Sequence, residues 1–171
     1  YELYNAIKND DLSYVVSLRS EKPLDSLYGY DIPEIFKHVT YPIMVAAYFG
    51  SKKVFNFYSN NSDFDVVDDN KKHTIHFASA GGNVDIFSFF DDKVDLYSIK
   101  DKYGNTPLHF AAKYGREEIV SKMCMTMIDV DIANKFGFSA AHFAAINGNI
   151  SIIKILFESG ANMTALNAGL Y

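Results

Sequence analysis

A glycine-terminated stretch recurs along this chain at an almost constant interval, and this repetition limits the possible folds more than any other feature. Four copies end in glycines that are 32, 33 and 33 residues apart, at Gly50, Gly82, Gly115 and Gly148. Two residue types inside the last three copies keep the same spacing: His76, His109, His142, Phe77, Phe110 and Phe143. Such a period predicts one supersecondary unit stacked several times.

The residues within one copy predict its local structure. In "TPLHFAAKYG", Thr106 caps a helix through its hydroxyl, and Pro107 suits the first helical position because no N–H is needed there. Gly115 suits the left-handed residue that ends a short helix. Apolar residues at helical spacing follow in "EEIVSKMCM" and "ISIIKILFES". Each unit is therefore predicted to contain a turn, a short first helix, a tight reversal, a longer second helix and an extended link.

Two segments carry the signature of a known family. "GNTPLHFAAKYGREEIV" (104–120) and "GFSAAHFAAINGNISIIKILFESGAN" (137–162) are similar to the ankyrin repeat almost residue for residue. Residues 71–87 and 41–58 resemble it more weakly, and Lys71 stands where the turn glycine is expected. The resemblance implies an all-α fold, an ankyrin-repeat solenoid of stacked helix pairs with short hairpin-like turns.

The N-terminal part departs from this pattern. "ELYNAIKNDDLSYVVSLRS" (2–20) has the pattern of a helix pair, but Asp10, at the position of the terminating glycine, precedes Gly50 by 40 residues. We expect residues 1–36 to form a divergent N-terminal helical capping unit. The resemblance divides residues 37–171 into repeats at approximately 37–68, 69–101, 102–134 and 135–167, followed by the start of a further repeat.

Local departures from the repeat predict local differences in structure. Asp91 and Lys93 place charge late in a second helix where the resemblance implies leucines, so this helix is expected to end early. Met127 occupies the position that Gly160 holds one repeat later, which predicts a differently shaped helix end. The second helix at 150–157 lacks a polar outer face, which predicts further repeats beyond it or self-association through the C-terminal edge.

The three histidines in register raise the question of a metal site, and geometry argues against one. Equivalent residues of successive repeats are expected about 8–10 Å apart, whereas zinc holds each nitrogen at about 2.0–2.1 Å from one centre. We expect each ring to hydrogen-bond within and between layers, the role that the resemblance also implies. The sequence predicts no bound metal and no cofactor.

No catalytic constellation stands out either. Cys124 lies on an apolar helix, where a buried thiol is usually inert. The acidic run at 63–69 lacks the glycine and the glutamate of a calcium loop, and the chain has no glycine-rich phosphate loop. We therefore predict that the chain is not an enzyme.

The composition narrows the class of partner. The net charge of −5 and the lack of a Lys/Arg cluster beyond short pairs argue against nucleic acid. No apolar run approaches membrane-spanning length, which argues against membrane insertion. The single cysteine and the lack of a signal peptide predict an intracellular, cytoplasmic location.

The resemblance also implies where a partner protein binds. Ankyrin proteins use the concave face of turn tips and first helices, most often the residues flanking the turn glycine and the two residues before the terminating glycine. Aromatic residues are dense at these positions, and exposed aromatic residues often mark interaction sites. The predicted partner-binding residues are Tyr48, Phe49, Asn70, Lys72, Lys102, Tyr103, Asn105, Lys113, Tyr114, Lys135, Phe136, Phe138, Ile146 and Asn147.

The function that follows is a non-enzymatic protein–protein interaction module, acting as an adaptor, a scaffold or a targeting domain. The alternative is an interaction domain of a larger multidomain enzyme or membrane protein whose active part lies outside this chain. The sequence does not identify the partner, because ankyrin surfaces bind unrelated proteins through variable positions.

Overall fold

The computed structural model describes residues 2–18, 24, 32–37, 40–126 and 128–164. These residues form ten α-helices, which are α1 (Glu2–Lys8), α2 (Leu12–Leu18), α3 (Pro42–Phe49), α4 (Lys52–Asn61), α5 (Thr74–Gly81), α6 (Val84–Phe87), α7 (Pro107–Lys113), α8 (Glu117–Cys124), α9 (Ala140–Ile146) and α10 (Ile150–Glu158). Three short 3-10 helices lie at Glu34–Phe36, Ser88–Phe90 and Val94–Ser98.

The helices form two layers of stacked pairs, as the repeat predicted. The first helices α3, α5, α7 and α9 pack on one another in chain order, and α1 packs on α3. The second helices α4, α6, α8 and α10 stack in the same order, with α2 on α4. Helix α5 lies between α3 and α7 and buries every residue from Thr74 to Ala80. The predicted all-α solenoid is thus confirmed.

Small residues let the first helices approach one another. The alanine pair of α7, Ala111 and Ala112, is completely buried between neighbouring helices, and so are Ala46 and Ala47 of α3. A side chain larger than a methyl group at these positions would push the helix axes apart, because interaxial distances depend on the side chains at the contact. The repeated alanines therefore set the spacing of the stack.

Two non-glycine residues take the left-handed conformation where the repeat requires it. Asp10 has φ 55° at the position of the terminating glycine. Its carboxylate accepts hydrogen bonds from the backbone N–H groups of Val54, at 3.0 Å, and Lys53, at 3.3 Å. This aspartate thereby caps α4 and joins the first helix pair to the next. Lys71 has φ 57° at the turn-glycine position.

The helix that was expected to end early does so. Helix α6 stops at Phe87 after a single turn, and the chain continues as the 3-10 helix Ser88–Phe90 before the charged residues Asp91 and Lys93. Met127 and residues 167–171, on which two other expectations rest, lie outside the described residues.

Two first helices, α3 and α5, come into close contact at Gly81. A Cβ atom at this position would lie 2.2 Å from the backbone oxygen of Tyr48 on α3. Alanine is favoured over glycine in a helix by about 1 kcal/mol, but a backbone oxygen cannot move out of the way of an added methyl group.

We expect Gly81→Ala to lower the free energy of unfolding by about 2–3 kcal/mol, because overpacking outweighs the helix propensity of alanine. The control is Gly148→Ala, where no atom lies within 4 Å of the added Cβ and only the positive φ of 66° is unfavourable. That control should lose about 1–2 kcal/mol. Urea unfolding followed by circular dichroism measures both, and a smaller loss for Gly81→Ala than for Gly148→Ala would contradict the steric explanation.

Candidate protein-binding surface

Three hairpin-like tips project from the first helices at residues 68–72, 101–105 and 134–138. In the second tip, the Asp101 carboxylate accepts hydrogen bonds from the backbone N–H groups of Tyr103 and Asn105, both at 2.8 Å. Asp68 and Asn134 make the equivalent pair of bonds in their own tips. These side chains hold each tip in one conformation, because every tip has two backbone donors fixed by a single acceptor.

Buried histidines connect helices α5 and α7 to the tips that follow them. His109 Nδ1 accepts the backbone N–H of Thr106 at 3.0 Å, and its Nε2 lies 2.9 Å from the carbonyl oxygen of Phe138. Since the first partner is only a donor and the second only an acceptor, the ring is neutral with its hydrogen on Nε2. The Thr106 hydroxyl lies 2.8 Å from the same Nδ1, so threonine and histidine cap α7 together.

The equivalent histidines repeat this arrangement. His76 Nδ1 accepts the backbone N–H of His73 at 2.9 Å, and its Nε2 lies 3.2 Å from the carbonyl oxygen of Asn105. His142 Nδ1 accepts the backbone N–H of Ser139 at 3.0 Å. The expected hydrogen bonds within and between layers are thus present for His76 and His109, and the bond within the layer is present for His142. In the described part of the chain, no three histidine, cysteine or carboxylate side chains come together as a metal site.

The tips also bond directly to one another. The backbone N–H of Lys102 donates to the Asn70 carbonyl at 2.8 Å, and that of Lys135 donates to the Tyr103 carbonyl at 2.9 Å. The rings of Tyr103 and Phe136 stack between neighbouring tips, with centroids 6.2 Å apart and planes at 28°. Both rings remain exposed, at 41% and 67% of their full surface.

The chain itself covers part of the predicted surface. The segment 32–37 lies against the first helices, and the Phe36 ring is 5.1 Å from that of Tyr48 and 5.9 Å from that of Phe49. Phe36 is completely buried, and Tyr48 and Phe49 are half-buried. These two predicted contact residues are therefore engaged with the N-terminal segment.

Two other predicted contact residues, Asn70 and Lys72, are buried, which corrects the expectation that they lie at the surface. The Lys72 ammonium lies 3.1 Å from the Asp68 carboxylate and donates a hydrogen bond to the Ile35 carbonyl at 3.0 Å. The lysine side chain thus runs beneath segment 32–37 and fixes it to the first tip. Both side chains are therefore largely buried, and their exposed remainder lines the groove beside segment 32–37.

A small residue lets two tyrosines meet across an intervening helix. Gly81 and Tyr114 occupy the position directly before the terminating glycine, which Phe49 holds in the preceding repeat, and Tyr48 lies one residue before Phe49. Because Gly81 has no side chain, the rings of Tyr48 and Tyr114 come within 6.1 Å in an edge-to-face arrangement. Burial raises the pKa of Tyr114 to about 12, and the neighbouring Tyr48 hydroxyl and Glu34 carboxylate contribute to the increase.

A groove of about 240 Å³ lies between segment 32–37 and the second tip. Its walls include four residues outside the predicted contact set, which are Glu34, Ile35, Asp101 and Phe110. Arg116 lies close by and donates from Nε to the Ala80 carbonyl at 2.7 Å. The position of Arg116 directly after the terminating glycine could have marked it as a candidate contact residue. Nothing in the sequence indicates that Glu34 lies beside the tips.

The remaining predicted residues form one open surface over the last two described repeats. Asn147 donates from Nδ2 to the Lys113 carbonyl at 2.6 Å, which connects α9 to α7 along this surface. Asn105, Tyr114 and Phe138 are half-buried in it. Its exposed members are Lys102, Tyr103, Lys113, Lys135, Phe136, Ile146 and Asn147. We call these ten residues the open surface.

The buried histidines predict that stability falls in mild acid. Burial lowers the pKa of His76 to about 4 and also lowers the pKa of His109. Histidine in an unfolded chain has a pKa near 6.5, so between pH 6.5 and 4 the unfolded chain binds protons that the native rings do not. The contribution of these histidines to the free energy of unfolding is therefore complete above pH 6.5 and is lost as the pH falls towards 4.

Between pH 7.5 and pH 5.5 we expect a loss of about 1–3 kcal/mol in urea unfolding, from one or two such histidines. Over the same interval, the NMR resonances of the His76 ring should stay constant in the native protein. Equal or greater stability at pH 5.5 would contradict the neutral assignment of these rings.

The buried ion pair gives a second stability prediction. Lys72→Met leaves the Asp68 carboxylate buried without its counter-charge, and we expect a loss of about 3–5 kcal/mol. Asp68→Asn/Lys72→Met removes both charges but keeps the acceptor for the tip, as Asn134 does naturally, and should recover most of that loss. Urea unfolding compares the two variants, and equal destabilisation would show that the lysine acts through packing alone.

Comparison with known proteins agrees with this geometry. A protein-family model described as ankyrin repeats, in three copies, matches residues 43–134 and 98–167, which together exceed half of the chain. No curated protein matches the sequence. None of the helices among the described residues is long and apolar enough to cross a bilayer. Members of the matched family generally mediate protein–protein interaction and are typically non-catalytic. The chain belongs to the ankyrin-repeat family.

Proposed function

We propose that this chain is a non-enzymatic interaction module, acting as an adaptor, scaffold or targeting domain, which binds a segment of a partner protein across the open surface. The observation that carries the proposal is the stacked pair Tyr103 and Phe136, which stays exposed on two adjacent tips. Aromatic side chains dominate the binding energy of many protein interfaces.

The rigidity of the tips supports this role. Asp101 and Asn134 each fix two backbone N–H groups, and the backbone bond between Lys135 and Tyr103 joins the two tips. The two rings are therefore held in place before a partner arrives. Binding to a preorganised site loses less conformational entropy than binding to mobile side chains.

The location of the open surface supports the proposal further. Segment 32–37 occupies the inner side of α3 and α5 through Phe36, whereas α7 and α9 keep exposed residues at Lys113 and Ile146. A partner is thereby directed to the second and third tips and to the two helices behind them. The exposed Ile146, at 62%, supplies an apolar contact at the far end.

We expect Tyr103→Ala/Phe136→Ala to weaken partner binding by about 30- to 1,000-fold, because hot-spot aromatic residues contribute on the order of 2 kcal/mol each. The matched control is Met125→Ala/Ile150→Ala, which removes two exposed apolar side chains from the layer of second helices. Affinity capture with both variants identifies candidate partners, and calorimetry with the purified partner gives the affinities.

Circular dichroism must first show that both variants keep their helix content. Partners that bind the control and are lost from the aromatic variant support the proposal. Partners that bind the aromatic variant as tightly as the original chain would remove the open surface from consideration.

A further inference from the structure

The inner side of the last two described repeats is basic, although the chain as a whole is acidic. Residues 101–116 and 134–149, which contain the tips and first helices, carry four basic side chains and one acidic side chain, Asp101. The net charge of the full sequence is −5. The acidic residues of these repeats lie instead on second helices and links, at Glu117, Glu118, Asp129, Asp131 and Glu158.

The single acid of these two ranges, Asp101, is engaged within its own tip, and the exposed Glu34 of segment 32–37 is a second acid in the wall of the groove. The Asp101 carboxylate is buried and accepts three hydrogen bonds from its own tip, two from backbone N–H groups and one from Asn105 Nδ2 at 3.1 Å. By contrast, Lys102, Lys113 and Lys135 are exposed and take part in none of the ion pairs formed by the described residues. Their positive charges are therefore uncompensated.

The basic groups stand next to aromatic walls. Lys102 Nζ lies 6.0 Å from the centre of the Tyr103 ring, and Lys113 Nζ lies 5.8 Å from that of Tyr114. The same two rings and Phe110 line the groove of about 240 Å³, at whose opposite wall stands Glu34. A cavity of this size admits a large side chain of a bound segment, with Lys113 in its wall and Lys102 next to Tyr103.

We propose that the partner segment is acidic, with an apolar or aromatic side chain that enters this groove and carboxylates that pair with Lys102, Lys113 and Lys135. The proposal rests on the proposed function, since it names the chemistry of the partner at the open surface. Complementary charge accelerates association and excludes like-charged competitors. Nucleic acid is disfavoured because few cations are present and the exposed rings of Tyr103 and Phe136 stack on each other rather than leaving room for a base.

The test begins with a library of random 12-residue peptides displayed on phage and selected on the 171-residue chain. We expect the enriched peptides to carry a net negative charge and at least one Phe, Tyr, Trp or Leu. A synthetic copy of one such peptide, labelled with fluorescein, is then measured by fluorescence anisotropy at low and high salt. Its affinity should fall as salt rises, because exposed charges are screened.

Two variants with the same change in net charge locate the effect. Lys102→Gln/Lys113→Gln/Lys135→Gln should weaken binding of the peptide by about tenfold or more and reduce its salt dependence. The control, Lys53→Gln/Lys122→Gln/Lys154→Gln, changes three lysines on second helices and should bind as the original chain does. Thermal unfolding must show that both variants are folded.

The outcomes separate this inference from the proposed function. Enriched peptides that are neutral or basic, but that no longer bind Tyr103→Ala/Phe136→Ala, would contradict an acidic partner. They would still support the open surface as the binding site. A lack of enriched peptides, or binding that the aromatic variant keeps, overturns both. Tighter binding of a 15-residue oligothymidine than of the selected peptide would assign the basic side to nucleic acid and overturn the inference.

Discussion

The arrangement of this surface depends on one hydrogen bond, which His76 and His109 each make from Nε2 to the carbonyl of the next tip. His76 reaches the Asn105 carbonyl and His109 reaches the Phe138 carbonyl, while Nδ1 of each ring caps its own helix. One neutral side chain therefore fixes the start of a first helix and the position of the following tip. The spacing of the tips, and with it the stacking of Tyr103 on Phe136, follows from this bond.

The small residues of the first helices make that bond possible. Buried alanines such as Ala111 and Ala112 let α5, α7 and α9 pack closely, and Gly81 allows the backbone of α3 to come closer still. Close packing brings each histidine within reach of the next tip, and it excludes water from the ring. The exclusion of water is also what lowers the pKa of His76 and His109, because the loss of hydration by a charged ring outweighs its attraction to the nearby Asp101 carboxylate.

Segment 32–37 covers one end of the inner surface of the stack and leaves the other end open. Phe36 packs among Tyr48, Phe49 and Phe77, and the Ile35 carbonyl accepts a hydrogen bond from Lys72. These contacts fill the inner side of α3 and α5 from within the chain. The uncompensated lysines and the exposed rings are left over α7 and α9, where the proposed partner binds.

The repeat period alone determined the helix pairs between Pro42 and Glu158 and the capping role of the histidines, since each follows from local chemistry repeated in register. The same period placed Asn70 and Lys72 at the surface, and there it was wrong. Their burial depends on segment 32–37, which lies outside the repeat and reaches them only when the chain is folded. Contacts between distant segments decide which equivalent positions remain exposed, and a repeated sequence pattern carries no information about them. The sequence therefore determined the stack, and the tertiary structure decided which part of it stays open to a partner.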